Sequence, residues 1–368
     1  MVAALAGVAA PSRGEAKRAP RDPLDADSLR AVPVNRFDWE SPDPADPTLA
    51  PEELSGLVWI EGERYLAIGD AHAVVHSLTI HADATGEIRS ATFGAPLALR
   101  DSLGSRIPEP ALAKDREGIA YDPARNEVWL ANEQTGLDPR WPSIERHSMT
   151  DGKMTGAVRV DMDPALAPFQ HARPNRSFES MTRAPDGSAY WTVNEDALTI
   201  DGPAASDTAG AVVRLLELSP GMKPVAQYPY PLDAFSGPIR TPSIVAGREI
   251  SGVSELVALP GRRLLALERS FGGARGGNAS LRNRLYLVDF SGATDVSGGE
   301  FREGLAGKRY VAAKKVLLWE SEWGLTNSNF EGMALGPALP DGSRLLVLVA
   351  DNNGGSAQAL FTLRLSAR

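Results

Sequence analysis

REGIAYDPARNEVWLANEQ, residues 116–134, holds the pattern that organises the chain. A short apolar run opens on Glu117 and meets a turn at Asp122–Asn126. A second run, EVWLAN, then ends in Glu133. Both runs are apolar at consecutive positions, rich in β-branched and aromatic residues, and bounded by turn formers. Such runs are strands buried on both faces. The same layout recurs at LSGLVWIEGERYLAIGDA (54–71), FESMTRAPDGSAYWTVNED (178–196), SELVALPGRRLLALERS (254–270) and FEGMALGPALPDGSRLLVLVADNN (330–353). The openers Ser55, Glu117, Glu179, Glu255 and Glu331 stand 62, 62, 76 and 76 residues apart.

Further strand pairs lie between these units, at 73–93, 211–230, and 283–290 with 314–320. Each unit therefore has about four strands, the make-up of a propeller blade. The expectation is an all-β propeller of four-stranded antiparallel blades. Five repeats are visible, and a degenerate sixth blade is the alternative to five. A segment near 30–40 would supply the outer strand that closes the ring. No linker divides the chain, so residues 31–368 read as one domain and 1–30 as a tail. Within that tail, VAALAGVAA (2–10) resembles the end of an export signal or its remnant. It is far below the ~18 residues that span a bilayer. A soluble periplasmic or secreted monomer is expected.

Composition narrows the chemistry. The formal net charge is −9, which argues against nucleic-acid partners. There is no cysteine, which excludes thiolate metal sites, disulfides and cysteine nucleophiles. The five histidines form no HExxH pair, and there is no GxSxG elbow, GxGxxG turn or P-loop.

Acids remain. In a propeller the first strand of each blade lines the central channel, so the acid opening strand one and the acid ending strand two share a rim. The pairs are Glu117/Glu133, Glu179/Glu195, Glu255/Glu268 and Glu331/Asp351, with Ser55/Asp70 in the first blade. Two like charges 4 Å apart repel by about 1 kcal/mol in water and ~4 kcal/mol at an effective dielectric of 20. A ring of such groups either stays protonated or recruits cations. Hard oxygen donors favour Ca²⁺, then Mg²⁺ or Mn²⁺. Asn132, Asn194, Asn352 and Asn353 would add neutral oxygens. The plainer alternative is that these acids bridge neighbouring blades through backbone N–H groups. The long connections fall at the same rim and carry Arg116, Arg176, Arg269 and Arg275, suited to an anionic substrate group. His171 is a candidate acid or base.

REGIAYDP…VWLANE, FESMTRAPDG…WTVNEDAL and NFEGMAL…LLVLVADNN resemble the phytase-like family of proteins described as having esterase-like activity, over most of the chain from about Leu54. The resemblance implies an exported propeller loosely related to calcium-dependent propeller phosphatases. It also implies that Glu117, Glu133, Glu179, Glu195, Glu255, Glu268, Glu331 and Asp351 are metal or active-site positions. The expected activity is metal-dependent hydrolysis of phosphoesters or related esters, with Glu179, Glu195, Glu117 and His171 in the chemistry. A Ca²⁺-dependent lactonase and a non-catalytic binding propeller with a structural metal are the rivals.

Overall fold

Doubly apolar strands cannot rest against one neighbour only, and the chain solves this by placing every sheet between two others. The structure is a computed structural model that describes residues 22–25, 28–40, 42, 45–70, 72–108, 115–133, 141–206, 208–234, 244–274, 279–321, 329–352 and 357–368. The expected export signal at 2–10, Arg275 and Asn353 lie outside the described residues.

Strand β1 (Leu29–Glu40) precedes the first blade, β2 (Leu54–Glu61), β3 (Arg64–Gly69), β4 (Val74–Ala82) and β5 (Ile88–Ala98). The second blade is β6 (Arg116–Asp122), β7 (Glu127–Asn132), β8 (Ser143–Ser148) and β9 (Met154–Arg159). The third is β10 (Thr182–Arg183), β11 (Tyr190–Val193), β12 (Ala211–Leu218) and β13 (Pro224–Leu232). The fourth is β14 (Ile244–Leu259), β15 (Arg263–Ala274), β16 (Ala279–Asp289) and β17 (Lys314–Glu320). The last comprises β18 (Asn329–Ala338), β19 (Arg344–Asp351) and β20 (Ala357–Ala367). Strand β1 pairs with β20 from Leu29↔Ala367 to Glu40↔Ala357 and becomes the fifth blade's outer strand. There are five four-stranded antiparallel sheets, and the ring closes through the segment near 30–40. Among the described residues no helix is long and apolar enough to cross a membrane.

Five apolar cores fill the five gaps between blades. Trp129 and Tyr190, stacked at 3.9 Å, stand between the second and third blades. Leu256 and Leu264 meet Tyr230 and Trp191 between the third and fourth. Phe330 and Phe361 meet Leu265 and Leu267 between the fourth and fifth. Leu57 and Tyr65 meet Val347, and Ile68 meets Ile119, in the remaining two. This is why the strands lack a polar face.

At the axis the innermost strands nearly touch. A Cβ added at Gly118 would lie 2.2 Å from the Ser180 carbonyl carbon, and one at Gly332 would lie 2.9 Å from the Leu57 nitrogen. Overpacking of this kind costs about 1–3 kcal/mol. Gly118→Ala should therefore lower the unfolding free energy by that much, seen as a lower denaturant midpoint at an unchanged m-value. A neutral result would show that the inner strands are not this closely apposed.

Candidate functional site: the acidic ring at the channel mouth

The inner strands enter the channel through a repeated irregularity. In β6 the ladder runs Arg116↔Asn132 and then Gly118↔Ala131, leaving Glu117 as an extra residue. Ser55, Ser254 and Glu331 are skipped in the same way in β2, β14 and β18. Glu179 follows the Phe178↔Asn194 bridge in the third blade. A bulge re-aims the side chain it carries. It also fixes the register of the partner strand, where the residues one step further on are Asp70, Glu133, Glu195, Arg269 and Asp351. Residues two before the opener form another set: Glu53, Asp115, Ser177, Gly252 and Asn329. Blade by blade, three positions face the same channel mouth.

This register corrects the fourth blade. Ser254, not Glu255, holds the opening position, and Arg269, not Glu268, holds the closing one. Glu255 takes the axial place of Gly56, Gly118, Ser180 and Gly332. Its carboxylate accepts the Leu256 N–H at 2.8 Å. Burial raises its pKa well above the usual range, and the amides of Leu256, Met333 and Met181 act the other way. Glu255 thus plugs the axis between neighbouring inner strands. Glu268 faces the third blade instead, fully buried. It accepts the Tyr230 hydroxyl at 2.6 Å and pairs with Lys315, while Arg284 stands 3.9 Å away. Burial raises its pKa and Lys315 opposes this. One residue of slip turns a side chain to the other face of a strand, and that removes both acids from the ring.

The other acids do converge. Oxygens of Asp70, Asp115 and Glu117 lie within 4.8 Å of one another. Burial first, then the charges of Glu53 and Asp115, pushes Asp70 up to about 9. Glu117 is raised well above the ordinary range by burial, then by Glu179, Asp115 and Glu331. Glu133 is raised by burial and by Glu117 and Glu195, although it accepts the Ser177 N–H. Glu179 is raised by burial and by Glu195 and Glu133. Glu331 reaches about 7, burial outweighing the pull of Arg269. Asn329 donates to Glu331 at 2.8 Å and to Asp351 at 2.9 Å.

The arginines divide. Arg269 is half-buried in the ring itself: it reaches Glu195 at 3.0 Å, pairs with Glu331, and donates to the Asn329 side-chain oxygen at 2.7 Å. Burial works against its charge, and Glu331 and Glu195 more than offset that. Held by two carboxylates, it is engaged within the ring rather than presented to a ligand. Arg176 meets Glu195 at 3.4 Å and is partly open to solvent. Arg116 is buried where the other blades carry Leu54, Phe178, Val253 and Phe330, and it acts on Asp115. His171 ends a 3-10 helix (Pro164–His171) with its side chain exposed, and its carbonyl accepts the Thr199 N–H at 2.9 Å.

Three of the asparagines expected as neutral ligands, Asn132, Asn194 and Asn352, make structural hydrogen bonds instead. Asn194 accepts the Arg214 N–H at 2.8 Å and donates to the Asp196 carbonyl. Asn132 donates to Ser143, and Asn352 accepts the Glu53 N–H at 3.0 Å. Asn132 and Asn194 precede the closing acids by one residue, and strand alternation turns them away. Conversely, Asp115 and Glu53 escaped the sequence reading because they lie just before the strands. The signal was present, since both stand two residues before an opener.

The donor chemistry fits a hard divalent cation: anionic oxygens without thiolate or imidazole. Among the described residues neither Glu117 nor Glu179, 6% and 5% exposed, accepts a side-chain hydrogen bond.

Comparisons place this geometry among known proteins. No curated protein matches the chain. Among solved structures, the PQQ-bound aldose sugar dehydrogenase of Streptomyces coelicolor is 12% identical, with 91% of this chain and 100% of that one covered and a TM-score of 0.37. The exo-β-1,3-galactanase of Phanerochaete chrysosporium is 10% identical, with 89% and 64% covered and a TM-score of 0.43. The glutaminyl cyclase of Myxococcus xanthus is 13% identical, with 65% and 76% covered and a TM-score of 0.29. Likenesses this distant say nothing about activity. The family model described as "Esterase-like activity of phytase" matches residues 52–354, a span that takes in all three sets of channel-mouth residues, and the chain belongs to this phytase-like family.

Proposed function

We propose that the channel mouth is the active site of a metal-dependent hydrolase of phosphoesters or related esters, with Ca²⁺ as the ion. The observation that supports this most is the gathering of buried and half-buried acids from four blades, several of them raised in pKa first by burial and then by one another. Asp70, Asp115 and Glu117 would hold the ion, with Glu133 and Glu179 beside them. When bound, such an ion polarises a phosphoryl or carbonyl oxygen and lowers the pKa of water. Glu179, with no hydrogen-bond donor on its carboxylate among the described residues, is free to take a proton from water. Arg176, partly exposed and paired with Glu195, would orient an anion at the mouth. Export to the periplasm or beyond and a monomeric state belong to the same proposal.

The test is turnover of p-nitrophenyl phosphate, inositol hexakisphosphate, a carboxylic ester and a lactone, with Ca²⁺ and after EDTA. Phosphoester turnover should vanish on chelation and fall by about 10²-fold or more in Glu179→Gln, as expected for loss of a general base, with native near-ultraviolet dichroism retained. Turnover confined to the lactone would replace the substrate class. No turnover, with chelation lowering only the melting temperature, would assign the ion a structural part.

A further inference from the structure

The ring is not symmetric, and the asymmetry belongs to one blade. The first blade contributes Glu53 and Asp70, and the second Asp115, Glu117 and Glu133. The third contributes Glu179 and Glu195, and the fifth Glu331 and Asp351. The fourth contributes no acid at any of the three positions: it carries Gly252, Ser254 and Arg269. Its guanidinium reaches one carboxylate of each adjoining blade, Glu195 on one side and Glu331 on the other. Gly252 makes this possible, because a Cβ there would lie 2.3 Å from the Glu195 side chain.

Across the mouth the arrangement is reversed. Asp70, Asp115 and Glu117 lie within 4.8 Å of one another. Arg116 acts on Asp115, while the leading influences on Asp70 and Glu117 are burial and other acids. Glu117 is 6% exposed and accepts no side-chain hydrogen bond among the described residues. The Asp70 Oδ1 is sealed from solvent without a partner. Carboxylates this close, one with an oxygen sealed from solvent, require a cation or protons.

We propose that the ring holds one exchangeable divalent cation, on Asp70, Asp115 and Glu117, and that the Arg269 guanidinium permanently fills the place of a second. The inference rests on the reading that the mouth binds cations and adds their number and position. Arg269 therefore acts as a fixed counter-ion that confines the exchangeable ion to the corner formed by the first and second blades. A substrate anion would then lie between a replaceable charge and a fixed one.

The test is Ca²⁺ binding by calorimetry and equilibrium dialysis on the full chain after chelation. Wild type should bind one equivalent. Glu117→Gln and Asp115→Asn should weaken binding about tenfold or more, while Glu331→Gln should leave it within about threefold, all with native near-ultraviolet dichroism. Arg269→Gln should bind two equivalents and Arg269→Lys one. Two equivalents in wild type, none at all, or equal losses in Glu117→Gln and Glu331→Gln would overturn the proposal. If Arg269→Gln does not fold, the contrast between those two variants decides. One equivalent at this corner without ester turnover keeps the inference and removes the hydrolase. Turnover with two equivalents does the reverse.

Discussion

Arg214→Met is expected to lower the unfolding free energy by about 3–5 kcal/mol, the range for removing one partner of a buried ion pair. Arg214 is fully buried on β12 and binds Asp201 through Nε at 2.7 Å and Nη2 at 2.8 Å. Its remaining donors go to the Gln227 side chain at 2.9 Å and to the carbonyls of Phe301 at 2.8 Å and Val296 at 3.3 Å. Asp201 in turn accepts the Leu305 N–H at 2.9 Å. This one side chain therefore pins the 291–313 connection of the fourth blade against the third. Methionine would fill much of the volume but leave Asp201 charged and buried, together with two orphaned carbonyls. Pairing it with Asp201→Leu should recover part of the loss, because the stranded charge is then gone. Denaturant unfolding measures both. A loss below about 1 kcal/mol in Arg214→Met would show that the connection is held by other contacts.

The second large effect concerns pH. In metal-free protein, stability should fall as pH rises from about 4 to about 9. Asp70, Asp115, Glu117, Glu133, Glu179 and Glu331 have folded-state pKa values above their unfolded ones, so in that window the native state binds more protons, and raising the pH favours unfolding. Asp70, at about 9, sets the upper end, and Glu331, at about 7, lies within the window. Glu331 alone, lifted from 4.5 to about 7, corresponds to about 3 kcal/mol by pH 8 at about 1.4 kcal/mol per pH unit. Saturating Ca²⁺ should flatten the profile. The ion favours the deprotonated ring, and at a hundred times its dissociation constant a ligand stabilises by about 2.7 kcal/mol. Calcium uptake should release protons, seen as a buffer-dependent binding heat. Thermal melting from pH 5 to 9, with and without calcium, reads the first effect. A flat metal-free profile would mean that the ring acids are not held protonated.

How much of this was legible in the chain can be seen blade by blade. Strand runs such as EVWLAN and RLLVLVAD, with their Pro, Asn and Gly turns, carry their information locally. A strand buried on both faces looks the same wherever it packs. The acids at Glu117, Glu133, Glu179, Glu195 and Glu331 could be placed at one rim because each opens or ends such a strand. The fourth blade defeated the same reasoning. Glu255 matches its counterparts to within one residue in spacing, and Glu268 ends an apolar run as Glu195 does. Which of Ser254 and Glu255 bulges depends on the pairing with β15, and that is not written in either strand alone.

By itself, then, the order of residues specified five repeats of about four strands, with a sixth blade left open, a segment near 30–40 suited to closing the ring, and the rim on which the acids gather. These follow from side-chain period and turn chemistry, which act over a few residues. Which side chains meet was decided only by the assembled ring. There Arg269 replaces an acid, Glu255 fills the axis, Glu268 turns to the third blade, and Asp115 joins Asp70 and Glu117. Each of those outcomes depends on a one-residue register between strands or on contact between blades, and such contacts exist only once the ring has closed.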